Sequence, residues 1–562
     1  MMRVLYCCTA LLLLIFIPRA CEGGNILVFP SEGSHWMRVF CCCTAFHLLI
    51  LIPTACEGGN ILVFPSEGSH WVNMDILLKA LDSRGHNITV LRPSNSWYLK
   101  DDSSYNTITV PVENILIQKF ITRIVSEGIL FERGAIPLTD ILQRSVGMFN
   151  TILEVYKALA DFVSAILDDS DLIRQLKDSK FDLLIADPCS GVGVILAKYL
   201  NLPLVYNVRW VIFTEAHLSI APSPLSYIPV TGTGNTDKMT FSQRVTNMVL
   251  HIITQKINNL AAKLVYQKIT DKYLGPGYDF NELIIDADIW LMRVDFVFEY
   301  PRPTMPNVVY IGGFQCKPAK PLPQHLEDFV QSSGEHGFIL MSLGTFVTEL
   351  PADMANEIAA AFAKLPQKVI WKYKGDRPAT LGNNTLLVDW MPQNDLLGHP
   401  KIKLFVAHGG TNGVQEALYH GVPVVGIAFY FDQYDNLLRL KDRGGAKILT
   451  LTTVDKDTNF LRAIEEVLSD PSYRANMQRL SRLHRDKPVM PLDNALFWIE
   501  FVMRHKGAAH LKAESYRMPW YSYHSVDVVL FLAGAMLLVL LTTFYLIRCI
   551  YTGMCKYKVK RE

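Results

Sequence analysis

Three stretches in the second half of the chain hold residue types able to grip a nucleotide: Trp390-Met-Pro-Gln-Asn-Asp-Leu-Leu-Gly-His-Pro400, Phe405-Val-Ala-His-Gly-Gly-Thr-Asn-Gly-Val-Gln-Glu-Ala417 and Gly421-Val-Pro-Val-Val-Gly-Ile-Ala-Phe-Tyr-Phe-Asp-Gln-Tyr-Asp-Asn436. A strand ending at Ala407 hands over to His408 and a turn rich in glycine (Gly409, Gly410, Gly413) that opens a helix. Unpaired backbone N–H groups and the helix dipole at such an end favour a phosphate. Asn412 and Glu416 stand four apart, hence on one helix face, where a carboxylate can accept both hydroxyls of a ribose. Trp390 and Gln393 offer a stacking plane and an amide for a base.

A second set of residues could move a proton. Gly68-Ser69-His70-Trp71 is expected on the loop after a first strand, and Phe181-Asp-Leu-Leu-Ile-Ala-Asp187 ends another strand with an acid. A hydroxyl that attacks must lose its proton, and imidazole accepts one near neutral pH. A carboxylate on the far ring nitrogen orients such a base and stabilises the imidazolium.

These residues need a scaffold, and the pattern around them supplies one. A short apolar run (Ile61–Phe64), a glycine-containing loop, an amphipathic helix (Val72–Leu81) and another strand (Ile88–Leu91) begin an alternation that restarts after Cys316–Pro323. Strands are predicted at Phe338–Ser342, Val369–Lys372, Leu386–Val388, Leu404–Ala407 and Val422–Ile427, with a helix at Met354–Leu365. Such alternation argues for parallel α/β sheets, whose ligands lie beyond the carboxyl ends of strands. The amphipathic segment Val112–Phe131 reads as a core-facing helix, with a membrane-surface contact as the alternative.

Length and composition bound the reading. A chain of 562 residues has room for two to four domains of roughly 100 to 200 residues. With 54 Lys+Arg against 53 Asp+Glu the net charge is +1, so no global field favours nucleic acid. A hydrophobic fraction of 50% with 19% charged residues excludes a disordered chain. Of the eleven cysteines only Cys189 and Cys316 lie in the body, outside the terminal apolar runs, without zinc-site spacing or a disulfide framework.

The ends carry targeting signals. Residues Met2 to Trp36 recur as Met37 to Trp71, and each copy has the basic start, apolar core and small-residue exit of a secretory leader. The second copy runs on into new sequence, so 37–56 is taken as the signal peptide and 1–36 as an extra copy of leader and first strand, with His35 expected to be inert. Val528–Ile547 has no charge over 20 residues, enough to cross a hydrocarbon core of about 30 Å, and Arg548, Lys556, Lys558, Lys560 and Arg561 after it assign the tail to the cytoplasm. Lysines third and fifth from the end resemble a dilysine retrieval signal, with a basic stop-transfer flank as the alternative. Asn87-Ile88-Thr89 and Asn383-Asn384-Thr385 are glycosylation sequons.

Taken together, the motifs resemble those of the UDP-glycosyltransferases, and from about Asn60 to Glu562 the chain looks like a vertebrate UDP-glucuronosyltransferase. The resemblance implies a GT-B fold: α/β, two doubly wound Rossmann-like domains facing across a cleft, plus one C-terminal transmembrane helix. The implied division is an acceptor-binding domain at 57–315, a Pro-rich linker at 316–323, a UDP-sugar-binding domain at 324–525 that returns to the first, a transmembrane helix at 526–547 and a cytoplasmic tail at 548–562. Carried over residue by residue, Trp390 and Gln393 fall at the uracil and ribose, His408 and Gly409 to Gly413 at the diphosphate, and Glu416 at the ribose. Asp432 and Gln433 would hold the sugar hydroxyls, with Ser342 and Thr345 lining the same cleft. Arg293, in Leu-Met-Arg, is similar to a family arginine linked to the glucuronate carboxylate, and His70 with Asp187 match the family's base and its carboxylate partner.

The resemblance further implies inverting transfer of glucuronic acid from UDP-glucuronate, a co-substrate rather than a cofactor, to small lipophilic acceptors. It implies a single-pass endoplasmic reticulum membrane protein, lumenal in its bulk, forming homo- or hetero-oligomers. No metal is expected: Asp-x-Asp triplets occur at Asp169/Asp171, Asp286/Asp288 and Asp455/Asp457, but none follows a strand as a site on the donor diphosphate would need. Two rivals remain at this level. One is UDP-glucose or UDP-galactose transfer onto a lipid or small molecule. The other is a non-catalytic membrane partner of related transferases, against which the intact His70 and Asp187 argue. The acceptor pocket is expected to be shaped by the loops Ser94–Tyr105 and Ser219–Met239.

Overall fold

The computed structural model describes residues 58–96, 99, 105–112, 138–189, 191–211, 214–345, 347, 349–430, 432–454 and 458–559. The two leader copies with His35, Val112–Phe131 beyond residue 112, Asp455 and Asp457, and Lys560 and Arg561 lie outside the described residues.

The first sheet is built from β1 (Asn60–Phe64), β2 (Asn87–Pro93), β3 (Asn106–Val110), β4 (Leu183–Ala186), β5 (Leu204–Val208), β8 (Ile289–Met292) and β9 (Val308–Tyr310), in the order β3-β2-β1-β4-β5-β8-β9; β6 (Trp210–Val211) and β7 (Thr214–Glu215) form a separate hairpin. The second sheet orders β10 (Phe338–Ser342), β11 (Lys368–Lys372), β12 (Thr385–Val388), β13 (Ile402–Ala407), β14 (Val424–Ile427) and β15 (Ala446–Leu449) as β12-β11-β10-β13-β14-β15. Both sheets are parallel throughout. In each, strand order reverses beside the first strand of that half, and a doubly wound sheet opens its ligand crevice at this switch point.

Alternation along each strand fills two cores per sheet. Leu62, Phe64, Leu184 and Ala186 point into one face of the first sheet, Ile61, Val63, Leu183 and Ile185 into the other. In the second sheet Ile339 and Met341 take one face, Phe338 and Leu340 the opposite one. Burial on both faces is why these strands read as continuous apolar runs.

The helices that matter to the cleft are α1 (Ser69–Asp82), α2 (Leu138–Asp168), α3 (Phe241–Leu274), α4 (Ala352–Ala363), α5 (Gln393–Leu397), α6 (Thr411–His420), α7 (Gln433–Asp442) and α8 (Pro471–Arg485). The long pair α2 and α3 is locked by stacked rings of Tyr156 and Tyr266, 4.8 Å between centroids. After the second sheet the chain returns: α9 (Pro491–His505) buries Ala495, Leu496, Ile499, Val502 and Met503 in a core of the first sheet. Residues 316–323, the expected linker, carry neither helix nor strand.

The last helix, α10 (Val526–Val559), has its first 29 residues, Val526–Met554, exposed and apolar enough to cross a membrane. At 1.5 Å per residue they span about 43 Å. The expected span ended at Ile547, but the helix runs on through Arg548 to Val559, with no proline in Arg548–Lys558 to stop it.

Candidate active site

The residues picked out for chemistry sit after strands that neighbour the switch points. In the first sheet β1 and β4 are paired with Phe64 beside Ala186. Beyond β1 the chain turns at Gly68, whose φ of 70° suits glycine, and α1 begins at Ser69. His70 therefore lies in the first turn of α1, not on a loop as its sequence suggested. The helix starts three residues before the expected Val72, with Gly68 in the cap position. Asp187 follows β4 directly and is buried.

Nδ1 of His70 lies 2.6 Å from Oδ2 of Asp187, while Oδ1 of Asp187 accepts the Cys189 backbone N–H at 2.9 Å. Arg293 follows β8 and brings Nη2 to 3.6 Å from Asp187 Oδ2, the oxygen that faces His70, and 3.5 Å from His70 Nδ1. Burial pushes the Asp187 carboxyl up, but the imidazole and the guanidinium outweigh it and hold the group below the usual carboxylate range. Arg293 is itself fixed from across the cleft, since Gln415 of α6 donates to its carbonyl at 3.1 Å.

In the second sheet β10 and β13 are paired with Ser342 beside Ala407. His408, Gly409 and Gly410 make the turn into α6, and Gly409 has φ 90° with the space for a Cβ closed by the Gln433 carbonyl. A side chain there would displace α7. Burial pushes His408 down to about 4, against a hydrogen bond to the Ser342 backbone that acts the other way, so its ring is neutral at pH 7.

Glu416 accepts from Gln393 Nε2 at 2.5 Å, and burial pushes its carboxyl up to about 7. Gln393 opens α5, and Trp390, two residues after β12, leaves 72% of its surface exposed. Asn412 Oδ1 accepts from Asn73 Nδ2 of α1 at 2.9 Å, a contact across the two halves. Gln433 Oε1 accepts the backbone N–H groups of Phe429 and Tyr430 at 2.9 and 3.3 Å, shaping the loop after β14.

These groups share one cleft of about 440 Å³, lined by His70, Arg293, Ser342, Thr345, Trp390, Gln393, His408, Gly410, Asn412, Gly413, Glu416, Asp432 and Gln433. Asp187 lies behind His70, and Gly409 shapes the turn from below; neither lines the cleft. The acceptor side differs from expectation. Among the described residues, neither Ser94–Tyr105 nor Ser219–Met239 lines it; Val155, Leu159 and Phe162 of α2 do, with Val72, Pro93 and Trp210. Their spacing of four and three places them on one helical face, a signal that was available in the sequence.

Lys372 was also missed. It ends β11, lines the cleft and donates to the Gly344 carbonyl at 3.0 Å. Arg209 lines the cleft too, and together with Arg293 these are its three permanent cations among the described residues.

Two Asp-x-Asp triplets have structural uses. Asp169 caps a helix by accepting from Asp171 and Leu172 N–H, and Asp288 accepts from Leu204 and Ala508 N–H while Asp286 pairs with Lys512. Ligand atoms of His70, Asp187 and Cys189 come within 4.8 Å of one another. The Arg293 guanidinium already supplies positive charge there, and burial pushes the Cys189 thiol up, so the trio fits a proton-handling pair better than a cation. Of the sequons, Asn87 and Asn383 are both exposed. Asn87 bonds sideways to Asn60 and Asn106 on the neighbouring strands.

Two parallel doubly wound sheets with a shared cleft at their switch points, and an apolar helix at the C-terminus, define a GT-B glycosyltransferase with a candidate membrane span. Solved structures with this fold include the glycotransferase of kitacinnamycin (TM-score 0.54, 18% identity, 79% of this chain and 99% of that one). Another is Phytolacca americana UGT2 complexed with UDP-2fluoro-glucose and pterostilbene (TM-score 0.53, 15% identity, 80% and 100%). The chain is 41% identical over 530 residues to UDP-glucuronosyltransferase 2A2 of Mus musculus, covering 92% of each, and 40% identical over 561 residues to UDP-glucuronosyltransferase 2B13 of Oryctolagus cuniculus, covering 96% of each. It belongs to the UDP-glucoronosyl and UDP-glucosyl transferase family, whose model matches residues 59–561.

Proposed function

We propose that this chain transfers glucuronic acid from UDP-glucuronate to a hydroxyl of small lipophilic acceptors, with inversion, giving β-glucuronides. The observation that carries this reading is the His70–Asp187–Arg293 cluster, with His70 and Arg293 on the wall of the cleft that also holds the glycine-rich turn and Glu416. Relatives named as glucuronosyltransferases over nearly the whole chain support the donor.

Nδ1 of His70 is committed to Asp187, which leaves Nε2 as the nitrogen for an acceptor hydroxyl. The acceptor oxygen attacks the anomeric carbon while its proton passes to Nε2. The bond from that carbon to the UDP oxygen breaks on the opposite side, its electron pair leaving with UDP. Asp187, held ionised, stabilises the imidazolium. Developing charge on the diphosphate meets the N–H groups at the start of α6 and the Lys372 ammonium, while neutral His408 adds a hydrogen bond and no charge. Trp390 and Gln393 take the base, Glu416 the ribose, and Asp432 and Gln433 the sugar hydroxyls, with Ser342 and Thr345 beside them.

Arg293 favours glucuronate over a neutral hexose, because a guanidinium near the reacting carbon rewards a carboxylate on the sugar. The apolar row Val155, Leu159, Phe162 suits a lipophilic acceptor. We read α10 as the anchor of an endoplasmic reticulum protein with a lumenal body, a cytoplasmic tail, leader 37–56 and glycans at Asn87 and Asn383, and homo- or hetero-oligomers as its working state.

The test is transfer from UDP-glucuronate, UDP-glucose and UDP-galactose to a panel of simple phenols in microsomes expressing the chain, beside His70→Ala. Turnover with UDP-glucuronate that is lost in the variant supports the reading. Preference for a neutral sugar would refute the donor assignment, and activity retained by His70→Ala would refute the base.

A further inference from the structure

The loop after β5 carries a buried cation that the transfer chemistry above does not use. Arg209 is 3% exposed and spreads its guanidinium over three partners: Nε donates to Asp432 Oδ2 at 3.1 Å, Nη1 to Glu299 Oε1 at 2.7 Å and Nη2 to Asn436 Oδ1 at 3.0 Å. Asp432 and Asn436 belong to the second-sheet half, 223 and 227 residues away in the chain. Arg439 approaches the other Glu299 oxygen at 2.9 Å and donates to Asn436 Oδ1 at 2.9 Å. Two guanidinium groups thus face two carboxylates in a buried, charge-balanced set that joins the halves.

The bonds at Asp432 are one-sided. It occupies the cap position of α7, yet its side chain makes no capping hydrogen bond. Its Oδ2 accepts from Arg209 Nε, from Thr411 Oγ1 at 3.1 Å and from Asn436 Nδ2 at 2.8 Å, whereas no described residue donates to Oδ1. Asp432 lines the cleft. Asn436 Nδ2 also donates to the Gly409 carbonyl at 2.9 Å, so the same network holds the turn expected to receive the diphosphate.

We infer that Arg209 is a positioning residue for the donor sugar: reaching over from the acceptor half, it clamps one oxygen of Asp432 and leaves the other presented to sugar hydroxyls. The inference rests on the reading of Asp432 as a sugar-hydroxyl acceptor. Separating the halves would leave Arg209 with Glu299 but break its contacts to Asp432 and Asn436, so the clamp exists only while the halves are together. Donor-sugar recognition is therefore coupled to the closed arrangement of the two sheets, and UDP without a sugar feels the clamp only through the Gly409 turn that Asn436 holds.

The experiment uses full-length chain in microsomes and compares Arg209→Gln, Asp432→Ala and the double variant. The readouts are KM for UDP-glucuronate and the inhibition constant of UDP. Arg209→Gln is expected to raise KM by about tenfold or more, the size of losing a hydrogen bond to a charged group, with UDP inhibition changed less than about threefold. In the Asp432→Ala background the same substitution is expected to add almost nothing, since residues acting as one unit are not additive. Full additivity, or UDP inhibition weakened as much as KM, would overturn the positioning role while leaving Asp432 in place. An unchanged KM in Asp432→Ala would overturn the assignment of Asp432 and the clamp with it. Should Arg209→Gln fail to accumulate, Arg209→Lys serves: an ammonium keeps the charge but cannot span three partners in one plane, and the same KM rise is expected.

Discussion

Oδ2 of Asp187 and Nδ1 of His70 lie 2.6 Å apart although 117 residues separate them in the chain. Adjacent strands β1 and β4 bring them together, one residue in the first turn of α1 and the other just past the end of β4. The acid is buried and nevertheless held below the usual carboxylate range, because the His70 imidazole and the Arg293 guanidinium outweigh the cost of burial. Asp187→Asn keeps the shape but removes the charge that stabilises an imidazolium. It is expected to lower kcat by about 10²- to 10⁴-fold with little change in UDP inhibition. A loss below tenfold would show that the pair is not the proton-handling unit.

Arg293 touches both members of that pair. Arg293→Leu is expected to reduce kcat/KM for UDP-glucuronate at least about tenfold more than for UDP-glucose, because only the former loses a charge-assisted contact. Equal losses for both donors would assign Arg293 to Asp187 alone.

Glu416 sets a pH dependence on donor binding. With the carboxyl at about 7 in the free protein, it is largely protonated at pH 6 and largely ionised at pH 8. The ionised form accepts both ribose hydroxyls, so binding draws the group to that form. UDP affinity is therefore expected to rise from pH 6 to pH 8, with proton release near pH 7 visible as a buffer-dependent heat of binding. Glu416→Gln should flatten both. For folding the sign is opposite: a carboxyl whose pKa is raised on folding loses stabilisation as pH climbs from 4.5 towards 7.

Leu496 is 3% exposed and lies in the core shared by α9 and the first sheet. Leu496→Ala is expected to destabilise the body by about 2–5 kcal/mol, read as a lower midpoint in thermal inactivation. Turnover per folded molecule should be unchanged. An unaltered midpoint would mean that α9 contributes little to holding the halves together.

Much of this architecture is legible in the amino-acid sequence. The strand Phe338–Ser342 matches its expected limits, and other strands differ by one or two residues at their ends, because apolar runs between turns mark buried parallel strands plainly. The start of α1 was hidden because Ser69, His70 and Asn73 are polar, and their use lies in the cleft and across it rather than in the core. Arg209 was invisible for a different reason: Glu299 and Asp432 are 90 and 223 residues away, and no local spacing encodes such a pairing. The acceptor wall is encoded in the 155, 159, 162 spacing on α2, which marks an apolar helix face but does not say that a cleft rather than a core lies against it.

The return of α9 to the first sheet means that the backbone passes between the halves twice, once through 316–323 and again before Pro491. A single cut in the first passage therefore yields complementary fragments, not free domains. The fragment beginning at 324 still carries Leu496, Ile499 and Val502, a plug whose socket belongs to the other piece. Nicked protein should elute as one particle, and the acceptor half made alone would expose that socket to solvent.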